Sequence, residues 1–200
     1  MKNKKKILLI IDPQNDFVSG SLMVPDALEK MNSLRDFIEE HGKEFDEVVI
    51  TLDWHPINHC SFVKNGGKWP EHCVKFTNGA MPEPGLIRTI LETFPNNNIQ
   101  VIYKGMSPGR EEYGAFEDPV QRSVLLPERD IYSERKANIT VTGIMSEYCV
   151  VESLKGILRD EFYATSENIT LWLPGISTMD DHKTLLGFAK EKGITKIIKD

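Results

Sequence analysis

The sequence predicts an α/β fold: an open, mainly parallel sheet of six strands with helices on both faces, in three layers. Three observations predict it. Apolar runs rich in β-branched residues alternate with helix-like stretches, the pattern of successive βαβ units. Residues capable of chemistry stand just past the carboxyl ends of several of those runs, the edge of an open α/β sheet where ligands bind. At 200 residues and 40% hydrophobic composition, residues 1–200 suit a single domain with one core.

The strands are expected at residues 6–11, 47–52, 99–103, 138–142, 168–173 and 195–198, and the helices at 26–40, 86–94, 146–159 and 181–191. In the first helix Leu28, Met31, Leu34 and Ile38 recur at three- and four-residue steps, which predicts one buried face, with Asp26 as its cap. In the third, Ser146 is the expected cap, and Val150, Val151, Leu154, Ile157 and Leu158 form the apolar side. The stretches 54–84 and 105–132 show little periodicity and are rich in Gly, Pro, Asn and aromatics. Loops of that length inside a compact domain are usually functional.

Charge and cysteine usage exclude several classes of function. A net charge of −6 and a pI near 5.5 argue against a nucleic-acid backbone or an anionic membrane as partner. The basic run from Lys2 to Lys6 reads as a solvated tail opening the first strand. The apolar stretch Ile7 to Ile11 is too short for a signal-peptide core, so a cytoplasmic enzyme is expected. Cys60, Cys73 and Cys149 are odd in number and form no CxxC, so free thiols are expected rather than disulfides.

Asp12, Asp53, Lys104 and Cys149 each follow a predicted strand and should converge. Cys149 is the natural nucleophile. The first turn of a helix offers unpaired N–H groups and a dipole that favour a thiolate, and a nearby Lys104 ammonium favours it further. Asp12 could take the thiol proton and deliver it to a leaving amine. Gly143, between strand and helix, lets the backbone turn tightly and aim N–H groups at an oxyanion. Alone, Cys149 would read as an inert buried thiol; its companions make the difference.

A second group is Asp53, His55 and the later His72. Two imidazoles and one carboxylate leave coordination positions open, as catalytic metal sites do. Zinc and iron(II) both suit these donors. His59 is a possible further ligand. His41 reads as a helix-end residue beside the last carbonyls, and His182 as surface.

The segments that carry these residues are Asp12 to Phe17 (DPQNDF), Thr51 to Pro56 (TLDWHP), Trp69 to Val74 (WPEHCV), Lys104-Gly105, Tyr113 to Phe116 (YGAF) and Gly143 to Val150 (GIMSEYCV). In this order, from residue 7 to about residue 158, the chain resembles the nicotinamidases of the isochorismatase-like cysteine hydrolase superfamily. The resemblance implies an isochorismatase-like three-layer fold and the catalytic group Asp12, Lys104 and Cys149. It implies Asp53, His55 and His72 as ligands of a divalent metal, zinc foremost, with iron or manganese as alternatives. It further implies a cis peptide before Met145, an oxyanion hole made by the Met145 and Cys149 N–H groups, and an aromatic slot of Phe17, Trp69 and Tyr113. Superfamily members without nicotinamidase activity generally lack the metal set. The sequence departs from the family pattern at Gly20-Ser21, where a double glycine is usual. It departs again at Ile144 to Glu147, where small residues and Asp are usual and where Met145 narrows the acyl pocket.

The expected activity is hydrolysis of nicotinamide to nicotinate and ammonia through a Cys149 thioester, serving NAD salvage, by a homo-oligomer that binds a small amide. Two competing readings remain open: a cysteine amidase for another small amide or carbamoyl compound, and a silent binding protein on the same fold. Metal dependence separates the first from the nicotinamidase reading, and rapid thiol reactivity excludes the second.

Overall fold

The computed structural model describes residues 4–117, 119–125 and 136–200. Its elements run β1 (Lys6–Ile11), α1 (Asn15–Val18), α2 (Ala27–His41), β2 (Glu47–Asp53), α3 (Pro84–Thr93), β3 (Ile99–Lys104), α4 (Pro119–Ser123), β4 (Asn138–Gly143), α5 (Val151–Ile157), β5 (Ile169–Ile176), α6 (Lys183–Lys192) and β6 (Lys196–Ile198). Lys2 and Asn3 of the basic run, and residues 118 and 126–132 of the second expected loop, lie outside the described residues.

The six strands form one sheet in the order β3-β2-β1-β4-β5-β6, and every neighbouring pair is parallel. The alternating side-chain directions of a strand feed two cores. Ile7, Leu9 and Ile11 of β1 pack with Leu154 and Ile157 of α5 and Leu185 and Phe188 of α6. Leu8 and Ile10 pack with Met31, Leu34 and Ile38 of α2 and Leu86 and Ile90 of α3. Helices therefore cover both faces. Because β2 and β3 extend to one side of β1 and β4 to β6 to the other, the chain reverses direction between β1 and β4, where a crevice opens above the strand ends.

Several local expectations are corrected. Leu28 is 56% exposed, and Ala27 takes its place on the buried face with Met31, Leu34 and Ile38; the steps from residue 27 are four, three and four, which follow a helical stripe more closely. Asp26 stands at the cap position but makes no capping bond, its carboxylate accepting instead from the Thr178 N–H at 3.3 Å. Helix α3 begins at Pro84, two residues earlier than expected. Proline suits the first helical position, and the Glu83 carboxylate caps it by accepting from the Gly85 and Leu86 N–H groups at 3.0 and 2.6 Å.

The expected helix 146–159 is a π-helical turn, Ser146–Val150, that leads into α5. Ser146 lies inside that turn rather than capping it, with its hydroxyl 3.1 Å from His182 Nδ1. His182 is thus a half-buried partner rather than a surface residue. It and Asp181 both have left-handed φ values, 59° and 55°, which delays α6 to Lys183. His41 ends α2 and pairs with the Glu44 carboxylate at 2.9 Å rather than with the last carbonyls. All three cysteines are free, as expected.

Candidate active site

Four spatially successive strands, β3, β2, β1 and β4, deliver the reactive groups. Asp12, one residue past β1, has a left-handed φ of 46° and is fully buried. Its Oδ1 accepts from the Thr51 hydroxyl at 2.6 Å. Asp53 and Lys104 are register partners at the ends of β2 and β3. The Lys104 ammonium, 1% exposed, lies 2.8 Å from Asp12 Oδ2, 2.5 Å from Asp53 Oδ1 and 3.6 Å from the Cys149 sulfur. Asp12, Asp53 and Cys149 stand close enough together to hold a cation, and the Lys104 ammonium already fills that role.

The electrostatics follow from burial. Burial would drive the Lys104 proton off, but the Asp12 and Asp53 carboxylates hold its pKa well above the ordinary value. Burial would likewise raise Asp53, yet Lys104 and His55 hold that carboxyl below its usual range. For Asp12 burial wins over the pull of Lys104, and its pKa is raised. Burial also pushes the Cys149 thiol well up, against Lys104, with both carboxylates adding to the rise. Burial and the two carboxylates thus act against the thiolate that the helix start and Lys104 favour, and a base within reach offsets that opposition as attack begins.

Asp53, His55 and His72 offer donor atoms within 4.8 Å of one another, all buried. Their hydrogen bonds fit a divalent metal. His55 Nδ1 donates to the Gly105 carbonyl at 2.9 Å, and His72 Nδ1 donates to the Pro70 carbonyl at 2.8 Å. Each ring therefore keeps its Nε2 lone pair for an ion, the usual arrangement of metal-bound histidines. His55 Nε2 lies 3.5 Å from Asp53 Oδ2. His59 stacks on His55 with ring centroids 4.1 Å apart, but both its nitrogens are engaged, Nδ1 with the Ser61 hydroxyl at 2.7 Å and Nε2 with the Arg110 carbonyl at 3.0 Å. His59 is not among the donors that cluster within 4.8 Å of one another.

Gly143 turns the chain at the end of β4 with φ 121°, and the Ile144–Met145 peptide that follows is cis, as the resemblance implies. A Cβ on Gly143 would stand 2.2 Å from the Ile11 carbonyl oxygen, so only glycine fits. The Tyr148 and Val150 N–H groups both donate to the Met145 carbonyl at 3.2 Å, tightening the turn that carries Cys149.

A pocket of about 200 Å³ joins these parts, with Cys149, Asp53 and His72 in its lining and Phe17, Trp69 and Tyr113 around them. Trp69 Nε1 donates to the Tyr113 hydroxyl at 3.1 Å. A larger open cleft of about 690 Å³ runs between α2 and strands β5 and β6; it shares no residue with the site and holds none of its chemistry.

Sequence reasoning missed several contributors. Gln14, fully buried, clamps the main chain of Asp53 on both sides: its amide nitrogen donates to the Asp53 and Ala80 carbonyls, and its oxygen accepts the Asp53 N–H at 2.8 Å. Thr51 orients Asp12. Tyr148, Ile144 and Met179 line the pocket beside Met145, which the sequence analysis had named. Gln14, Thr51 and Tyr148 lie inside segments already singled out, so their position was a signal; Met179 follows β5, and no pattern in the sequence ties it to the site.

No family model matches the chain. A nicotinamidase of Saccharomyces cerevisiae is 30% identical over 171 residues, covering 72% of this chain and 77% of its own length. A nicotinamidase/pyrazinamidase of Mycobacterium tuberculosis is 30% identical over 160 residues, covering 78% of this chain and 80% of its own. Among solved structures, a pyrazinamidase of Pyrococcus horikoshii in complex with zinc superposes with a TM-score of 0.77 at 27% identity, covering 98% of this chain and 99% of its own.

Proposed function

The chain belongs to the nicotinamidase family, and from that premise we propose that it hydrolyses nicotinamide to nicotinate and ammonia by cysteine catalysis. One observation carries the mechanism: the buried Lys104 ammonium bridges Asp12 at 2.8 Å and the Cys149 sulfur at 3.6 Å. Asp12, with its pKa raised by burial, takes the Cys149 proton as the sulfur attacks the carboxamide carbon. The adjacent Lys104 cation stabilises the thiolate as it forms. The tetrahedral oxyanion is met by the Met145 and Cys149 N–H groups at the turn after Gly143. Each such donor is worth on the order of 100- to 1000-fold in rate. Asp12 then passes its proton to the departing ammonia and activates the water that hydrolyses the thioester.

Asp53, His55 and His72 would hold a divalent ion, which we assign as zinc, with iron or manganese as alternatives; it would supply a Lewis-acid anchor for a ring nitrogen of the substrate. Phe17, Trp69 and Tyr113 sandwich that ring in the pocket, which is roomy for one flat six-membered ring and little more. With such an ion in place a ring nitrogen would be the feature recognised, and pyrazinamide is the second substrate we propose.

We read residues 1–200 as one catalytic domain working in a cytoplasmic homo-oligomer in NAD salvage; the three free thiols support a reducing compartment. Among the described residues no helix is long and apolar enough to cross a membrane. The test is ammonia release from nicotinamide by the purified protein, as isolated, after chelation and after restoring zinc, iron or manganese. Activity lost with the metal and regained with it is expected. A folded, metal-loaded protein without activity would redirect the assignment to another small amide or carbamoyl substrate.

A further inference from the structure

Lys68 is an exposed lysine with a defined seat. Gly66 turns the preceding loop with φ 92°, and Gly67 lies so close to the Ser61 carbonyl that a Cβ there would stand 2.1 Å from it. The next residue, Trp69, is bonded on both sides: its N–H donates to the Ser61 carbonyl at 3.0 Å and its carbonyl accepts from the Val63 N–H at 2.8 Å. From this anchored turn the Lys68 ammonium reaches over three rings, 4.7 Å from the centroid of Trp69, 4.9 Å from Tyr148 and 5.4 Å from Tyr113. The rings touch one another as well, Tyr148 lying 5.4 Å from both Trp69 and Tyr113.

The three rings come from three separate segments, after β2, β3 and β4, and all three line the pocket beside Cys149. Ring faces carry negative charge density, so a cation shared among them adds its attraction to their mutual contacts and ties all three to one point. The nearby Tyr113 hydroxyl raises the Lys68 pKa above its ordinary value, and the group is cationic across the neutral range.

We propose that Lys68 is a positioning residue for substrate recognition, its ammonium pinning Trp69, Tyr113 and Tyr148 into one wall and so fixing the width of the slot that receives the aromatic ring. This rests on the pocket being the substrate site. Without the cation, the rings must be ordered when the substrate binds, and that loss falls equally on the ground state and the transition state. It therefore appears in KM and leaves kcat alone. Arginine keeps the charge and its affinity for ring faces; methionine keeps the stem and loses the charge.

The experiment compares KM and kcat for nicotinamide in the metal-loaded wild type, Lys68→Met and Lys68→Arg, with acrylamide quenching of Trp69 fluorescence taken as the difference from Trp69→Phe. Lys68→Met is expected to raise KM roughly three- to tenfold with kcat within about twofold, and to make Trp69 more readily quenched; Lys68→Arg restores both. An unchanged KM, a loss confined to kcat, or no rescue by arginine overturns the proposal. Should the wild type fail to hydrolyse nicotinamide at all, the assignment of function fails by itself. Trp69 quenching then decides on Lys68 independently: equal quenching in wild type and Lys68→Met overturns its role.

Discussion

Gly105 carries the His55 ring: its carbonyl accepts from His55 Nδ1 at 2.9 Å, and its Cα lies so near the ring that an added Cβ would stand 2.4 Å from His55 Cε1. Its φ of 62° is also one that residues with a side chain seldom adopt. Gly105→Ala is therefore expected to push His55 out of line and weaken metal affinity about 10- to 100-fold, read by competition with a chromophoric chelator. Gly109, with open space around its Cβ position, is the control, and its alanine variant should bind metal as the wild type does. Equal affinity in both variants would contradict the assigned orientation of His55.

Cys149→Ala should abolish ammonia release while metal content, measured by elemental analysis, stays at the wild-type level. The sulfur is 3.6 Å from Lys104 and belongs to the nucleophile's group rather than to the Asp53, His55 and His72 set. Retention of wild-type turnover would remove cysteine from the mechanism.

Lys104→Met leaves the Asp12 and Asp53 carboxylates buried without their cation. Breaking a buried ion pair from one side costs about 3–5 kcal/mol, so the urea midpoint should fall steeply and activity should vanish. The loss should ease as pH falls. A carboxyl whose folded pKa is raised is stabilising when protonated, and that contribution disappears as pH climbs through the folded value. A variant as stable as the wild type at neutral pH would show that the triad is not closed to water.

His182 gives the folded protein an acid sensitivity of known sign. Burial, helped by Lys30, lowers its pKa, so the unfolded chain takes the proton first. The stability His182 contributes is whole above the ordinary histidine value of about 6.5 and is lost as pH falls from there through the lowered folded pKa. Melting temperatures of wild type and His182→Gln, measured from pH 7.5 to about 5, should show the wild type falling more. Parallel curves would refute this.

Gly143→Ala should be among the most damaging single substitutions, because the new methyl would meet the Ile11 backbone at 2.2 Å in a φ region closed to alanine. A cost above about 4 kcal/mol is expected, seen as a collapse of the denaturation midpoint.

Much of this was legible because it is local or periodic. Strands β1 to β4 announce themselves as apolar runs; Asp12, Asp53 and Lys104 are the charged residues that close the first three, and Cys149 lies a few residues past the fourth, which is how they could be read together. What was not legible depends on contacts distant in sequence. Gln14 acts by reaching the main chain of Asp53, and Asp26 gives up its cap to bond Thr178, across 152 positions. Ser146 looks like a cap only until the cis peptide before Met145 and the π turn are known. Lys68 is one of many exposed lysines until three separate segments bring their rings beneath it.

The sheet order has a consequence for how the protein is made. β1 is flanked by β2, which follows within about 40 residues, and by β4, which follows only after roughly 130. At translation speeds of about 5–20 residues per second, one edge of this strand, apolar after Lys6, waits roughly 6 to 25 seconds for its neighbour to emerge. Until then the nascent chain displays Ile7 to Ile11 to whatever else can pair with it. A ribosome-bound intermediate lacking β4 is the species a chaperone would need to shield, and overexpression faster than that shielding would yield inclusion bodies rather than enzyme.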